Sequence, residues 1–143
     1  MDQARQLDVS ISALMRVLTI DERRLSSSLG SSPFNALDLE TLSYIHRHAG
    51  AVAKDVAVYL SVSATTMQSV VDRLHKRGLL QRNTAVLKGR AIALTLTREG
   101  GEFRQQLHAR NLKNCQDMLM CIDENERERF IDNMRKIAAQ LSL

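Results

Sequence analysis

The stretch SVSATTMQSVVDRLHKRGL, residues 61–79, decides how this chain is read. Ser63 predicts a helix start, because a serine hydroxyl can accept a hydrogen bond from an unpaired N–H of the first turn. Met67, Val70, Val71 and Leu74 recur at helical spacing and predict a buried face. Thr65, Thr66, Gln68, Ser69 and Arg73 are left on the other side. Lys76 and Arg77 complement the C-terminal dipole, and Gly78 ends the helix. A short helix with small hydrogen-bonding side chains outward suits the DNA major groove, with its N-terminal residues near base edges.

The flanking residues extend the pattern. Upstream, Ala53, Val56, Ala57 and Leu60 mark a short helix, and Ser61-Val62-Ser63 is the turn between the two. Downstream, residues 79–82 and Ala91–Leu96 read as strands, the second from the alternation of Ile92, Leu94 and Leu96. Residues 83–90 form the loop between them, with Lys88 and Arg90 at a basic tip. A helix-turn-helix followed by such a hairpin is a winged helix. Further out, Leu39, Leu42 and Ile45 mark a helix with Asp38 as its cap, ending near Ala49-Gly50. Leu7, Ile11, Leu14, Leu18 and Leu25 predict a long first helix, broken by Gly30-Ser31-Ser32-Pro33. After the hairpin, Thr97 starts a helix whose apolar stripe runs through Phe103, Leu107, Leu112, Cys115, Leu119 and Ile122. Asp123 caps a last helix with Phe130, Met134, Ile137 and Leu141 at spacings of four, three and four. The fold class is therefore mainly α with a small β-hairpin wing.

At 143 residues the chain has the length of one domain. Its positive charge is concentrated. Residues 63–104 hold the bases Arg73, Lys76, Arg77, Arg82, Lys88, Arg90, Arg98 and Arg104 against the acids Asp72, Glu99 and Glu102, and the remainder is slightly acidic. That places the attraction for phosphate on the predicted helix and wing. The aromatic residues are Phe34, Phe103, Phe130, Tyr44 and Tyr59, too few for a single-strand stacking platform. Cys115 and Cys121 are six apart, about 240° around a helix, and form no CxxC pair. Cys115 belongs to the apolar stripe and is expected to pack. His46 and His48 do not share a helix face, and P-loop, GxSxG, GxGxxG and HExxH motifs are absent, so neither an enzyme nor a metal or cofactor site is expected. No apolar run approaches the roughly 18 residues of a membrane span. The residues after Met1 lack a signal-peptide core. A cytoplasmic protein is expected.

Periodicity leaves two readings of the long flanking helices: a bundle within one chain, or a seam with a second copy. DNA recognition favours the second, because a two-fold dimer reads two half-sites about one helical turn apart.

Val71-Asp72-Arg73-Leu74, then Gly78-Leu79-Leu80, a wing, and Leu96-Thr97-Arg98-Glu99-Gly100 carry a family likeness. The chain resembles, over essentially its whole length, the MarR family of bacterial winged-helix transcription factors. That family has V-D-R-L-x-x-x-G-L, a wing with D-x-R, and L-T-x-x-G. This chain departs from it at the wing, where Lys88-Gly89-Arg90 replaces Asp-x-Arg. The resemblance implies a single domain, 1–143, with dimerisation helices at 1–30 and 101–143 and a DNA-binding region at 36–100. It implies a homodimeric regulator, most often a repressor, on a pseudo-palindromic double-stranded operator, with a small aromatic or phenolic effector as a candidate partner. Tyr44, His46, Arg16 and Met15 are near enough in sequence to be considered for an effector crevice, although ordinary packing is the favoured reading of each. Some relatives sense peroxide through a cysteine of the first helix, and this chain has none there.

The expected DNA-binding residues are Ser63, Ala64, Thr65, Thr66, Gln68, Ser69, Arg73, Lys88, Arg90 and Lys54. Gln68 can pair with adenine N6 and N7, and the threonines can meet a thymine methyl or a phosphate. For Arg73, a phosphate and a nearby acid are equally good partners. By resemblance Arg90 reaches the minor groove while Asp72 steadies the wing through a salt bridge. A cation on a hairpin tip is also drawn to that groove on electrostatic grounds. The alternative function is a winged-helix protein-interaction module without specific DNA binding.

Overall fold

Short elements pack around the middle of the chain, and two of its helices start where a side chain satisfies the backbone. The computed structural model describes residues 2–27, 34–88 and 91–142. The order is α1 (Gln3–Ser27), α2 (Ala36–Arg47), α3 (Ala53–Tyr59), α4 (Ala64–Lys76), β1 (Leu80–Lys88), β2 (Ala91–Leu96), α5 (Arg98–Met120) and α6 (Glu124–Leu141). The chain divides into two compact units, Met1–Leu107 and His108–Leu143.

In the first unit α2 opens with a capping box. The Asn35 side chain accepts from the Asp38 N–H at 2.8 Å, and the Asp38 carboxylate accepts from the Asn35 N–H at 3.2 Å. The expectation that Asp38 caps α2 is corrected: Asn35 is the cap and Asp38 stands three residues in, which satisfies two orphan N–H groups instead of one. Helix α4 starts at Ser63, whose hydroxyl accepts from the Thr66 N–H at 3.1 Å. The turn between α3 and α4 passes through Ser61 at φ 55°, a left-handed backbone that lets the Val62 N–H reach the Ala57 carbonyl at 3.0 Å. Gly78, at φ 77°, ends α4 in the same left-handed region, where glycine meets no steric penalty.

The inward faces agree with the spacing. Met67, Val70, Val71 and Leu74 of α4 are buried, together with Leu42 and Ile45 of α2, Val56 of α3, and Leu80 and Leu94 of the hairpin. Burying each such side chain stabilises by about 1.5–3 kcal/mol. Phe34 and Phe103 close this core with stacked rings 4.7 Å apart.

β1 and β2 pair antiparallel, from Leu80 opposite Leu96 to Lys88 opposite Ala91. The ladder shifts register between Asn83 and Leu87. Strand structure thus reaches Lys88, where the sequence reading places a loop from residue 83. Ala51 adds a bridge on the other side of β2, opposite Leu94, so the segment before α3 is laced to the hairpin. Thr97 joins the hairpin to α5. Its hydroxyl donates to the Gly78 carbonyl at 2.6 Å and accepts from the Gly100 N–H at 3.0 Å. A Cβ on Gly100 would fall 2.0 Å from the Leu79 carbonyl oxygen, so only glycine fits there.

α1 leaves Leu7, Ile11, Leu14, Met15 and Ile20 exposed in the single chain. The second unit pairs the end of α5 with α6, and α6 has no buried residue. Asp123 occupies the cap position of α6 as expected, but its side chain makes no capping hydrogen bond. The Arg127 guanidinium instead takes up two carbonyls at the end of α5, donating to Leu119 at 2.8 Å and Ile122 at 3.2 Å. Cys115, expected to pack, is exposed and lines an apolar groove of about 230 Å³ with Met118, Leu119, Phe130, Ile131 and Met134. Of the stripe in this unit, Leu112 and Cys115 are exposed and Leu119 and Ile122 are half-buried. No described helix is long and apolar enough to cross a membrane.

Candidate nucleic-acid interface

Because α4 is packed by one face, its other face is fixed in place and turned outward. Ser63, Ala64, Thr65, Thr66, Gln68, Ser69 and Asp72 are all exposed. Several of these are already oriented. The Ser63 hydroxyl donates to Thr66 Oγ1 at 2.9 Å, and the Ser69 hydroxyl donates to the Thr65 carbonyl at 3.3 Å. Gln68 Nε2 donates to Asp72 Oδ1 at 3.1 Å, one helical turn along. Asp72 also accepts from Arg82 of β1, an ion pair that ties the helix to the wing strand. Arg82 and Gln68 hold the Asp72 carboxyl below its ordinary range. The hydrogen bond from Arg82 is the larger cause.

Lys54, exposed near the start of α3, shares a recess of about 260 Å³ with Gln68, Arg82, Ala91 and Ile92. The fold therefore brings the start of α3, the middle of α4 and the wing to one place. Such a surface offers donors and acceptors to base edges and cations to the flanking phosphates.

Arg73 turns elsewhere. Its guanidinium bonds the buried carboxylate of Asp38, the acid partner that the sequence left open beside phosphate. Arg77 lies 3.5 Å over the Phe34 ring, and burial lowers its pKa from the usual arginine value. Lys88 ends β1, but its side chain lies outside the described residues, as does Arg90. Met15 and Arg16 line a recess on α1 with Ser12, Thr19 and Ile20. Tyr44, by contrast, stacks on His48 at 4.3 Å and leans on Tyr59 at 4.8 Å. The recess at Met15 and Arg16 is not lined by Tyr44 or His46.

Arg82 is the residue the sequence reading counted as charge without giving it a role. A signal was present: it stands two residues after the buried Leu80, hence on the same face of the strand.

A buried-backed helix after a tight turn, followed by an antiparallel hairpin, defines a winged helix-turn-helix protein. Residues 33–91, the winged-helix segment, match the model of the MarR family. Solved structures extend the likeness in fold over nearly the whole chain. The PcaV transcriptional regulator from Streptomyces coelicolor is 26% identical, with a TM-score of 0.62 over 90% of this chain and 95% of its own. FabT from Streptococcus pneumoniae, in complex with DNA, is 22% identical, with a TM-score of 0.76 over 98% and 97%. A MarR-family transcriptional regulator from Rhodococcus is 17% identical, with a TM-score of 0.68 over 100% and 99%. No curated protein matches the chain in sequence.

Proposed function

We propose that this protein is a DNA-binding transcriptional regulator, acting as a homodimer and in the repressor sense, on a pseudo-palindromic operator in the cytoplasm. The observation that carries the reading is the outward face of α4, with Ala64, Thr65, Thr66, Gln68 and Ser69 exposed beside Lys54 and Arg82. α4 enters the major groove, Gln68 reads a base edge, and the Arg90 wing reaches the adjacent minor groove. Lys54 and Lys88 contact phosphates. FabT, similar in fold, is solved in complex with DNA, which supports DNA as the partner. The apolar side chains exposed on α1 and α6 support a second copy as partner. A small aromatic or phenolic effector would release DNA by favouring a different spacing of the two reading heads.

Fluorescence anisotropy with duplex from upstream of the protein's own gene, at several salt concentrations and against a scrambled duplex, tests this. Tight, sequence-selective binding that falls steeply with salt is expected, because phosphate contacts release counterions. Arg90→Ala should weaken binding more than Lys113→Ala, whose lysine pairs with Asp117 in the other unit. Weak, unselective binding here and after selection from random duplexes would leave a protein-interaction module.

A further inference from the structure

Gln68, Asp72 and Arg82 form a chain of donors and acceptors that runs from the exposed face of α4 to the wing. The amide of a glutamine carries an acceptor at one end and two donors at the other, and it can turn over. An ionised carboxylate only accepts. With Asp72 one turn away, only one orientation of the Gln68 amide is favourable, the one with Nε2 toward Asp72. The opposite orientation would set the amide oxygen against a carboxylate. One N–H is engaged, while the amide oxygen and the second N–H are left for a base. Such a pair, one acceptor and one donor, complements the N6 and N7 edge of adenine. The carboxylate itself would repel phosphates, and Arg82 compensates its charge.

We propose that Asp72 is a specificity-determining positioning residue: by fixing the Gln68 amide it makes α4 select adenine at the base pair Gln68 meets. This rests on the DNA-reading function above. It adds to the link between Asp72 and the wing, which Arg82 provides, a separate role directed at the base. Removing the acceptor frees the amide, and the preference is lost. Removing Arg82 leaves the bond between Gln68 and Asp72 in place, and the preference survives while overall affinity falls.

The experiment is selection from random duplexes with the full-length protein and with Gln68→Ala. The position where the first selects adenine and the second does not is the one Gln68 reads. Affinities for the four bases at that position are then measured for Asp72→Ala, Asp72→Asn and Arg82→Met, with thermal melting as a check of folding. A good bidentate contact discriminates about tenfold or more. Both Asp72 variants should lose that factor there and keep their selectivity elsewhere, because an asparagine amide accommodates either orientation of Gln68. Arg82→Met should keep it. Retained adenine preference in the Asp72 variants overturns the proposal, and so does equal loss in Arg82→Met, which would assign the effect to wing docking. Adenine selection that does not depend on Gln68 also overturns it while leaving the DNA-reading function standing. No enriched sequence with the unsubstituted protein overturns both.

Discussion

The carboxylate of Asp38, 2% exposed, accepts a hydrogen bond from Arg73 across 35 residues of sequence. The same carboxylate caps α2 through the Asn35 N–H, so one acid fixes the start of α2 and the middle of α4 together. Arg73→Ala would leave that buried charge with the Asn35 N–H and the neighbouring charge of Arg77. Removing one partner of a buried pair costs several kcal/mol, less where the other end is partly solvated, as Arg73 is at 40% exposure. We expect a loss of about 2 kcal/mol in urea unfolding. The salt dependence of DNA binding should hardly change. A salt slope reduced by about one unit, at unchanged stability, would instead mark Arg73 as a phosphate contact.

Two adjacent glycines on α5 should respond oppositely to the same substitution. At Gly100 an added methyl meets the Leu79 carbonyl oxygen, a backbone atom that cannot swing aside. Gly100→Ala should cost about 3 kcal/mol, at the upper end for overpacking. At Gly101 the same methyl meets open space. Gly101→Ala should stabilise by about 0.5–1 kcal/mol, since alanine restricts the unfolded chain and suits a helix. Thermal or urea unfolding of the pair checks both signs. A harmless Gly100→Ala would show that the Leu79 backbone and α5 do not approach as described.

Acidification acts on the link between α4 and the wing. Asp72 is held below its usual carboxylate range by Arg82 first and Gln68 second. A carboxylate whose pKa falls on folding contributes stability that is complete above its unfolded value, 3.8, and is lost as pH drops through the lowered folded value. The contact therefore persists at neutral pH and opens only in acid. In Arg82→Met the Asp72 carboxyl should titrate at higher pH, nearer the ordinary value. Carbon-detected NMR titration of Asp72 in both proteins measures this. An unchanged midpoint would mean that Arg82 does not engage Asp72 in solution.

The winged helix was legible because its signals are local. Met67, Val70, Val71 and Leu74 share one face by spacing alone, and Ser63 and Gly78 bracket them by backbone chemistry. What the sequence did not disclose depends on contacts between distant segments. Neither the partner Asp38 finds in Arg73 nor the bridge of Ala51 to Leu94 has a periodic signature. The Asn35 capping box was missed because Asp38 is itself a good cap residue and drew the assignment three positions inward. At the site, the exposed set on α4 followed from the apolar set. The pairing of Asp72 with Arg82 joins α4 to β1, and only the way the helix packs on the strand brings the two together.

The last prediction concerns the apolar faces that the single chain leaves in water. On α6, Ile131, Met134, Ile137 and Leu141 are 40, 51, 49 and 77% exposed, at helical spacing. Met134 and Ile131 also line the groove that holds Cys115. Apolar contiguity of this kind on an exposed helix face marks an interaction surface, and burying each side chain would stabilise an assembly by about 1.5–3 kcal/mol. If that assembly is the homodimer, Met134→Glu places a charge among apolar partners and should weaken the dimer about a hundredfold or more. Sedimentation equilibrium should then show monomer at concentrations where the unsubstituted protein is dimeric. Operator affinity should fall with it, since one subunit reads only half a palindrome. The cysteines give an independent reading: Cys115, set in the groove, should react slowly with a thiol reagent in the dimer and quickly in Met134→Glu, with Cys121→Ser as background. A Met134→Glu protein that stays dimeric, with Cys115 equally reactive in both forms, would remove this face of α6 from the interface.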